Sequence, residues 1–460
     1  MIKVSTLKSL IWFSAMLLLI LSFPIQVKLM SQWPALFPYL LIGLVFFLPY
    51  CRPADIPKNW VRPKRMEQLI GFYFFLVVFH TSWQVLLGFI SPYQAGTAIF
   101  VYGVPVFFYW YFSRRANLVE IRAVLFAILF AGLVSGVFHA YDNISKLGFG
   151  KISNFSKEAI MYSALRGQEG GTFEDVSSAR AICGYRSFGL LETHTISSAC
   201  TVFAVFAALA LLPLDRKRLR FVIILVFGFM LLLGLTFTSI VAFWITILML
   251  EFRLIVLVKA RLPKNIFRIL PIVVFMILVF IVSISVFFNE AMVSYISQFF
   301  TEQFQLATVG RNNLSYIGIF VNNAIGYLHN LVAFPPTLLI GDGYSSFGLK
   351  KGGDVGYIES LVRFGAPFFM GAVIGLFVIV WKSYKNALRR GKYLPDNVRS
   401  LMLFSANVIF FLLIMELHYS TWNAKAILPI LFFALALYSR YRYRPNKFYQ
   451  TTAIINKRNT

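Results

Sequence analysis

The chain has 460 residues, of which 59% are hydrophobic and only 13% charged, with a mean hydropathy of +0.74; a water-soluble domain carries roughly 25% charged residues. Such a chain cannot cover itself with a polar surface, so a soluble globular fold is excluded and a polytopic membrane protein is expected. The 43 Lys+Arg against 18 Asp+Glu leave a net +25, which in a soluble protein would point to nucleic acid.

Taken in chain order with a window of about 19 residues, the apolar runs predict helices near 8–27, 34–50, 68–89, 93–112, 121–141, 194–214, 221–238, 240–258, 269–288, 366–381, 401–419 and 422–440. The fold class is therefore all-α: about twelve transmembrane helices forming a single transmembrane domain over 1–460. The first run lacks a small-x-small cleavage site and reads as a spanning signal anchor. Cys51, Cys183 and Cys200 have neither CxxC spacing nor a nearby His pair and read as small packing residues.

Basic segments mark alternate connections: Arg52–Arg65, Arg114–Arg122, Arg216–Arg220, Arg253–Arg268, Lys382–Arg399 and the tail from Arg440. With Lys3 and Lys8 of the N-terminus, that side carries 31 Lys+Arg and 6 Asp+Glu, whereas the other carries 12 and 12. The whole +25 thus falls on one face. Lys and Arg resist translocation, so this face and both termini are expected in the cytoplasm, and the charge reports orientation, with no nucleic acid implied.

Two connections on the opposite side are long, 142–193 and 289–365, and hold nearly all the polar chemistry available there. Within the second, 291–306 and 314–332 have the pattern of amphipathic segments lying at a membrane face. The chain lacks GxxxxGK[ST], HExxH, GxSxG and a strand-to-helix GxGxxG. ATP-driven transport and zincin proteolysis are therefore not expected.

The outer loops offer three constellations. Tyr185-Arg186-Ser-Phe-Gly189-Leu-Leu-Glu192-Thr-His194 stands before the sixth helix; Gly310-Arg311-Asn-Asn313 opens an amphipathic stretch; and Ile340-Gly-Asp342-Gly-Tyr344 precedes Asp354-Val-Gly-Tyr357-Ile-Glu-Ser-Leu-Val-Arg363-Phe-Gly365. Arginine presents a planar, permanent charge that matches phosphate bidentately, so two arginines at a membrane cavity suit a diphosphate.

Each of these residues also has a bland reading. Asp342 between two glycines is turn chemistry, Asp354 before Val-Gly suits a turn or a helix N-cap, and Arg363 suits an interfacial anchor for the following helix. His80 and His139 lie in or near spans, where an ionisable group hints at function but a bond to a backbone carbonyl explains it equally. Glu416, His418 and Lys425 read as a water-facing cluster at an outer helix end. The aromatic excess suits lipid-facing packing.

These motifs resemble those of the O-antigen polymerase and O-antigen ligase superfamily, polytopic enzymes that move polyprenyl-diphosphate-linked glycans on the outer face of the bacterial inner membrane. Arg186 to Leu190 is similar to that family's Arg-x-x-Gly-hydrophobic stretch, and Arg311, Pro335-Pro336 and Gly341-Asp-Gly343 to its arginine followed by Pro and Gly-x-Gly. Aligned on Tyr357, Ile358, Leu361 and Gly365, Asp354 stands where the ligases carry histidine, as in many polymerases. Ser239-Ile240 departs from the ligases' Ser-Arg.

The resemblance implies a GT-C-like membrane fold and a glycosyltransferase that polymerises undecaprenyl-diphosphate-linked oligosaccharides into O-antigen, capsule or exopolysaccharide. It implies Arg186 and Arg311 on the diphosphate and Asp354 as general base, with Arg363, Tyr357, Glu192, His194 and Asp342 as further substrate contacts. Lipid-linked donor and acceptor, membrane lipid, a chain-length regulator and a flippase are the implied partners. With an arginine clamp, no metal and no cofactor are expected. The alternatives are an O-antigen ligase, which differs in acceptor, and a lipid-linked oligosaccharide flippase, against which the unequal outer loops and missing repeat argue.

Overall fold

The computed structural model describes residues 4–30, 37–48, 64–86, 88, 90–149, 153–159, 189–191, 193–234, 236–251, 339, 341, 356–389, 395–417, 421, 424 and 426–442. The described residues form helices and turns with no strand. The helices are α1 (Val4–Leu29), α2 (Phe37–Phe47), α3 (Lys64–Leu86), α4 (Pro92–Arg114), α5 (Leu118–Phe149), α6 (His194–Leu211) and α7 (Lys217–Leu233). They continue with α8 (Phe237–Thr246), which runs into a π-helical turn (Ile247–Glu251), then α9 (Gly356–Phe364), α10 (Ala366–Arg389), α11 (Asp396–Met415) and α12 (Leu428–Tyr441).

Seven of these are long and apolar enough to cross a membrane: Val4–Leu29, Met66–Leu86, Pro92–Arg114, Leu118–Ser145, His194–Leu211, Ala366–Leu388 and Asp396–Met415. Thr238–Glu251 and Leu428–Tyr441 are shorter apolar helical stretches. The protein is thus a multi-pass membrane protein by its helices. Helices stand at eleven of the twelve predicted positions; the other, 269–288, lies outside the described residues, as do the amphipathic stretches 291–306 and 314–332.

Helix ends follow local chemistry. Ser91 caps α4 through a capping box, its Oγ accepting from Gln94 N at 3.2 Å while Gln94 Oε1 accepts from Ser91 N at 2.9 Å, with Pro92 supplying a preset first turn. Pro24 inside α1 removes a backbone donor, and Leu21 one turn earlier leaves helical geometry (φ −100°, ψ 20°). α10 extends past its predicted end at 381 to Arg389 because Lys382, Lys385 and Arg389 end the hydropathy signal without ending the helix.

The bundle is layered. α6 and α11 are each 83% buried along their spanning windows, whereas α10 is 22% buried. Almost every residue of α12 is inside as well. α5 packs most extensively on α6, and α1 on α5. Outward rows such as Phe72, Phe75, Phe79 and Trp83 of α3, or Phe126, Phe130 and Val137 of α5, remain exposed, which suits helices facing hydrocarbon. Other aromatics fill the interior: Trp12 packs on Phe108, Tyr111 and Phe112, and Phe112 on Phe433. The aromatic excess therefore serves both surfaces.

Small residues set the central contact. A Cβ at Gly132 would meet the Cys200 carbonyl oxygen and lie 2.7 Å from Ala204 Cβ; at Gly136 it would lie 2.8 Å from Thr201 Oγ1. Glycines one turn apart let the α5 and α6 backbones approach closely, as membrane helices do where they lack a bulk hydrophobic drive. Cys200 is buried here, a packing residue as expected. Rising numbers on α5 meet falling numbers on α6, so the pair is antiparallel.

The helix ends sort into two sets. At one end Arg440 Nη1 donates to the Phe112 carbonyl at 3.1 Å, Arg114 pairs with Glu67 at 2.7 Å, and the Tyr111 hydroxyl donates to Glu120 at 2.8 Å. Arg220 pairs with Glu251 at 2.9 Å, and Ser400 Oγ donates to the Leu212 carbonyl at 3.3 Å. Every described basic connection belongs to this end. The opposite end carries 139–143, 189–191, 193–198, 234, 236–239, 356–365, 413–417 and 421.

Candidate functional site

At the end away from the basic connections, two clusters form around glycines. The first joins α5, the start of α6 and the α7–α8 junction. Gly189 has φ +67°, a left-handed conformation that side chains disfavour, and a Cβ there would collide with Ser197 Oγ and lie 2.7 Å from Ser197 Cβ and 3.4 Å from His139 Cγ. The Leu191 amide donates to Ser197 Oγ at 3.2 Å. The turn is therefore moulded on the Ser197 side chain, and Thr193 caps α6 by accepting from Ile196 N at 3.2 Å.

His139 is 2% exposed and lies between two glycines distant in sequence. A Cβ at Gly234, which ends α7, would lie 3.1 Å from His139 Nδ1. One turn further along α5, Asn143 Nδ2 donates to the Leu233 carbonyl at 3.1 Å, and Asp142 accepts from Ser153 N at 3.2 Å and Ser156 Oγ at 2.5 Å. Ser198 Oγ donates to Thr236 Oγ1 at 2.8 Å, and Thr236 Oγ1 to the Gly234 carbonyl at 3.3 Å. These side chains are buried, so their bonds replace the water they lack.

The second cluster joins Leu339 and Gly341, α9 and the end of α11. Gly341 (φ +86°) and Gly365 (φ +77°) face each other. A Cβ at Gly341 would meet the Arg363 carbonyl oxygen and lie 2.6 Å from Gly365 N, and one at Gly365 would lie 2.5 Å from the Leu339 carbonyl oxygen. Gly341 and Gly365, 24 residues apart in sequence, thus meet backbone to backbone.

α9 is tied down by Tyr357, whose amide donates to the Glu416 carbonyl at 2.9 Å and whose hydroxyl donates to the Leu413 carbonyl at 2.6 Å. Burial first, and then the neighbouring Glu416 carboxylate, hold this phenol above its usual pKa, so it stays a neutral donor. Arg363 Nη2 pairs with Glu359 Oε1 at 2.6 Å one turn back on the same helix. Glu416 corrects the expectation of a water-facing cluster: it is fully buried, and Thr421 Oγ1 donates to its carboxylate at 3.1 Å. Tyr357 at the start of α9 bonds the backbone beside it; His418 and Lys425 lie outside the described residues.

The two clusters share one end. Phe203 and Phe206 pack on Phe411, and Ser400 meets Leu212, so α6 and α11 run antiparallel and the start of one lies with the end of the other. His194, at the start of α6, is half-buried there. Of the other predicted site residues, Tyr357 and Arg363 stand in the second cluster, while Arg186, Arg311, Asp354, Glu192 and Asp342 lie outside the described residues. Chain connectivity still ties Arg186 to Gly189, three residues away, Asp342 to Gly341, and Asp354 to Gly356, two residues away. Three peptide units reach at most about 11 Å. Among the described residues no three His, Cys, Asp or Glu side chains form a group that could hold a metal ion.

One polar network was not singled out from the sequence. Arg220 Nη2 pairs with Glu251 at 2.9 Å, its Nη1 donates to the Leu209 carbonyl at 2.5 Å, and Asn407 Nδ2 donates to Glu251 at 2.9 Å. The Arg220 and Glu251 side chains are 8% and 10% exposed. An acid inside an apolar run was the available signal: Glu251 ends the eighth predicted span's described part. This network clamps α6, α7, the π-helical turn and α11.

Compared with known proteins, the chain matches no protein-family model and no curated sequence. The functional reading therefore rests on the residues themselves.

Proposed function

We propose that the protein is a glycosyltransferase that polymerises polyprenyl-diphosphate-linked oligosaccharide repeats at the outer face of the bacterial inner membrane. The observation that carries this reading is that the glycine of Arg186-x-x-Gly189 and the contact of Gly341 with Gly365 lie at one end of the bundle. That end is opposite the basic connections, whose excess of Lys and Arg supports a cytoplasmic assignment for them and for both termini. Sequence-distant motifs placed at the same end of a bundle are what a shared substrate requires.

In this reading the acceptor hydroxyl oxygen attacks the anomeric carbon of the donor glycan, forming the new glycosidic bond and inverting the configuration. The bond from that carbon to the diphosphate oxygen breaks, its electron pair leaves with the diphosphate, and the hydroxyl proton passes to Asp354. Arg186 and Arg311 hold the diphosphate and offset the charge it gains, an effect that grows where water is excluded. Two guanidinium groups supply the positive charge a divalent ion would otherwise bring, so the reaction is expected to run without metal or nucleotide. Arg363, Tyr357, Glu192, His194 and Asp342 surround the substrate. A chain-length regulator and a flippase that delivers repeats are the expected partners.

Deleting the protein is expected to leave products carrying a single repeat, with long chains restored by the wild type but not by Arg186→Ala or Arg311→Ala at equal expression. Normal chain-length ladders from both variants would sink the arginine assignment. Long polymer still attached to its carrier lipid would mark a ligase instead, and repeats held on the cytoplasmic leaflet a transporter.

A further inference from the structure

We propose that the outer arm of α1, residues 22–29, and the segment 153–159 form one hinged flap whose opening governs access to the outer end of the bundle. The motion does not depend on the polymerase reading; its use, admitting a lipid-linked substrate, rests on it. The flap is marked by the place where the packing of α1 divides. Among the described residues, Trp12, Met16, Leu19 and Ile20 belong to the central core of the bundle, whereas Phe23 and Val27 belong to a separate cluster with Ala159, against which Phe155 packs. The division falls at the kink, where Leu21 leaves helical geometry and Pro24 has no N–H to offer the Ile20 carbonyl. A break in the core and a break in the helix at one place make a hinge.

Arm and segment are joined to each other and latched to α5 by different contacts. Lys28 Nζ pairs with Glu158 Oε2 at 2.5 Å, beside the apolar contacts of the small cluster. The latch is made by two residues one turn apart on α5: the Phe138 ring meets Phe155 edge-on at 5.4 Å, and the buried Asp142 carboxylate accepts from Ser153 N at 3.2 Å and from Ser156 Oγ at 2.5 Å. Their neighbours on the same helix, His139 and Asn143, adjoin Gly234 and bond the Leu233 carbonyl in the first cluster. The flap is therefore latched to the helix end that shapes that cluster. A small satellite cluster beside a long loop opens more readily than the core it adjoins. The arm is about 12 Å long, so a turn of about 20° at the kink carries its tip about 4 Å.

The test uses full-length protein in lipid nanodiscs with Cys51, Cys183 and Cys200 replaced by alanine and spin labels attached in pairs at Leu29→Cys, Lys157→Cys and Tyr93→Cys, all exposed, the last on α4. Releasing the latch by Asp142→Ala, or separately by Phe155→Ala, is expected to lengthen the 29–93 and 157–93 distances together by about 4 Å, the swing of the arm, while 29–157 stays as in the parent. Parental distances in both variants, or a shift of the arm without the segment, would overturn the flap. For its use, a short bis-methanethiosulfonate joining Asp142→Cys to Ser156→Cys is expected to slow the lengthening of lipid-linked repeats by about tenfold or more, as a lid held shut does, and reductant to restore it. Equal rates before and after reduction would overturn the gating role. A parent protein that lengthens nothing would sink the polymerase reading and leave the distances to decide the flap.

Discussion

The two ends of this bundle solve the burial of polar groups differently. At the basic end charges are held by charges, an amide and carbonyls: Arg220 by Glu251 and the Leu209 carbonyl, Glu251 also by Asn407, Arg440 by the Phe112 carbonyl, Arg114 by Glu67. At the opposite end the buried groups are hydroxyls, amides, an imidazole and the Asp142 and Glu416 carboxylates, which are held by neutral donors, and glycines whose missing side chains let separate segments touch. The first arrangement anchors helices and leaves no cation to spare for a ligand among those pairs. The second shapes backbone, and it adjoins the loops in which the sequence concentrates its unassigned arginines and acids.

This contrast can be broken from either side, and the largest effect is expected at the basic end. Arg220→Ala leaves Glu251 buried without its partner, and removing one member of a buried pair costs about 3–5 kcal/mol. Thermal unfolding in detergent is expected to show a large loss, with Arg220→Ala/Glu251→Ala less damaged than the single variant. A single variant as stable as the parent would show that the clamp is not one.

At the other end, Gly341→Ala or Gly365→Ala forces a side chain into a left-handed backbone and against a facing carbonyl. Strain of about 1–3 kcal/mol is expected from each cause, with polymer formation lost more completely than stability. Equal loss of both would make the contact merely structural. Gly132→Ala pushes α5 from α6 and is expected to cost about 1–3 kcal/mol, read as a lowered melting temperature.

The smallest effect belongs to Tyr357→Phe, which removes one hydrogen bond to the Leu413 carbonyl and is expected to cost about 1 kcal/mol at neutral pH. Because folding raises the phenol's pKa, its stabilisation is present below the unfolded value of about 10 and is lost as pH rises beyond it. The gap between Tyr357→Phe and the parent is therefore expected to narrow only in strongly alkaline buffer; a gap that narrows below pH 8 would contradict the assignment.

Much of the fold was legible because hydropathy periodicity is a strong, local signal. The runs around Leu10, Leu125 and Val408 stand inside long helices as expected, and the alternation of Arg and Lys clusters foretold which helix ends would share a face. Boundaries were less legible: α7 stops at Gly234 rather than 238, and α12 begins at Leu428, with Pro429 in its first turn, rather than at 422. The site was legible as motifs but not as contacts. No local pattern announces that Gly189 will rest on Ser197 and His139, that Gly341 will face Gly365, or that Arg220 will find Glu251, since each pairing depends on helix packing. Glu416 was misjudged for the same reason: an acid after an apolar helix looks exposed until the packing around it is known.

The most direct test is to supply the purified protein, in nanodiscs, with polyprenyl-diphosphate-linked repeat units and neither nucleotide nor added metal. A ladder of lengthening lipid-linked glycans is expected from the parent and its loss from Arg186→Ala. Single-repeat substrate left unchanged by the folded parent protein would contradict the account.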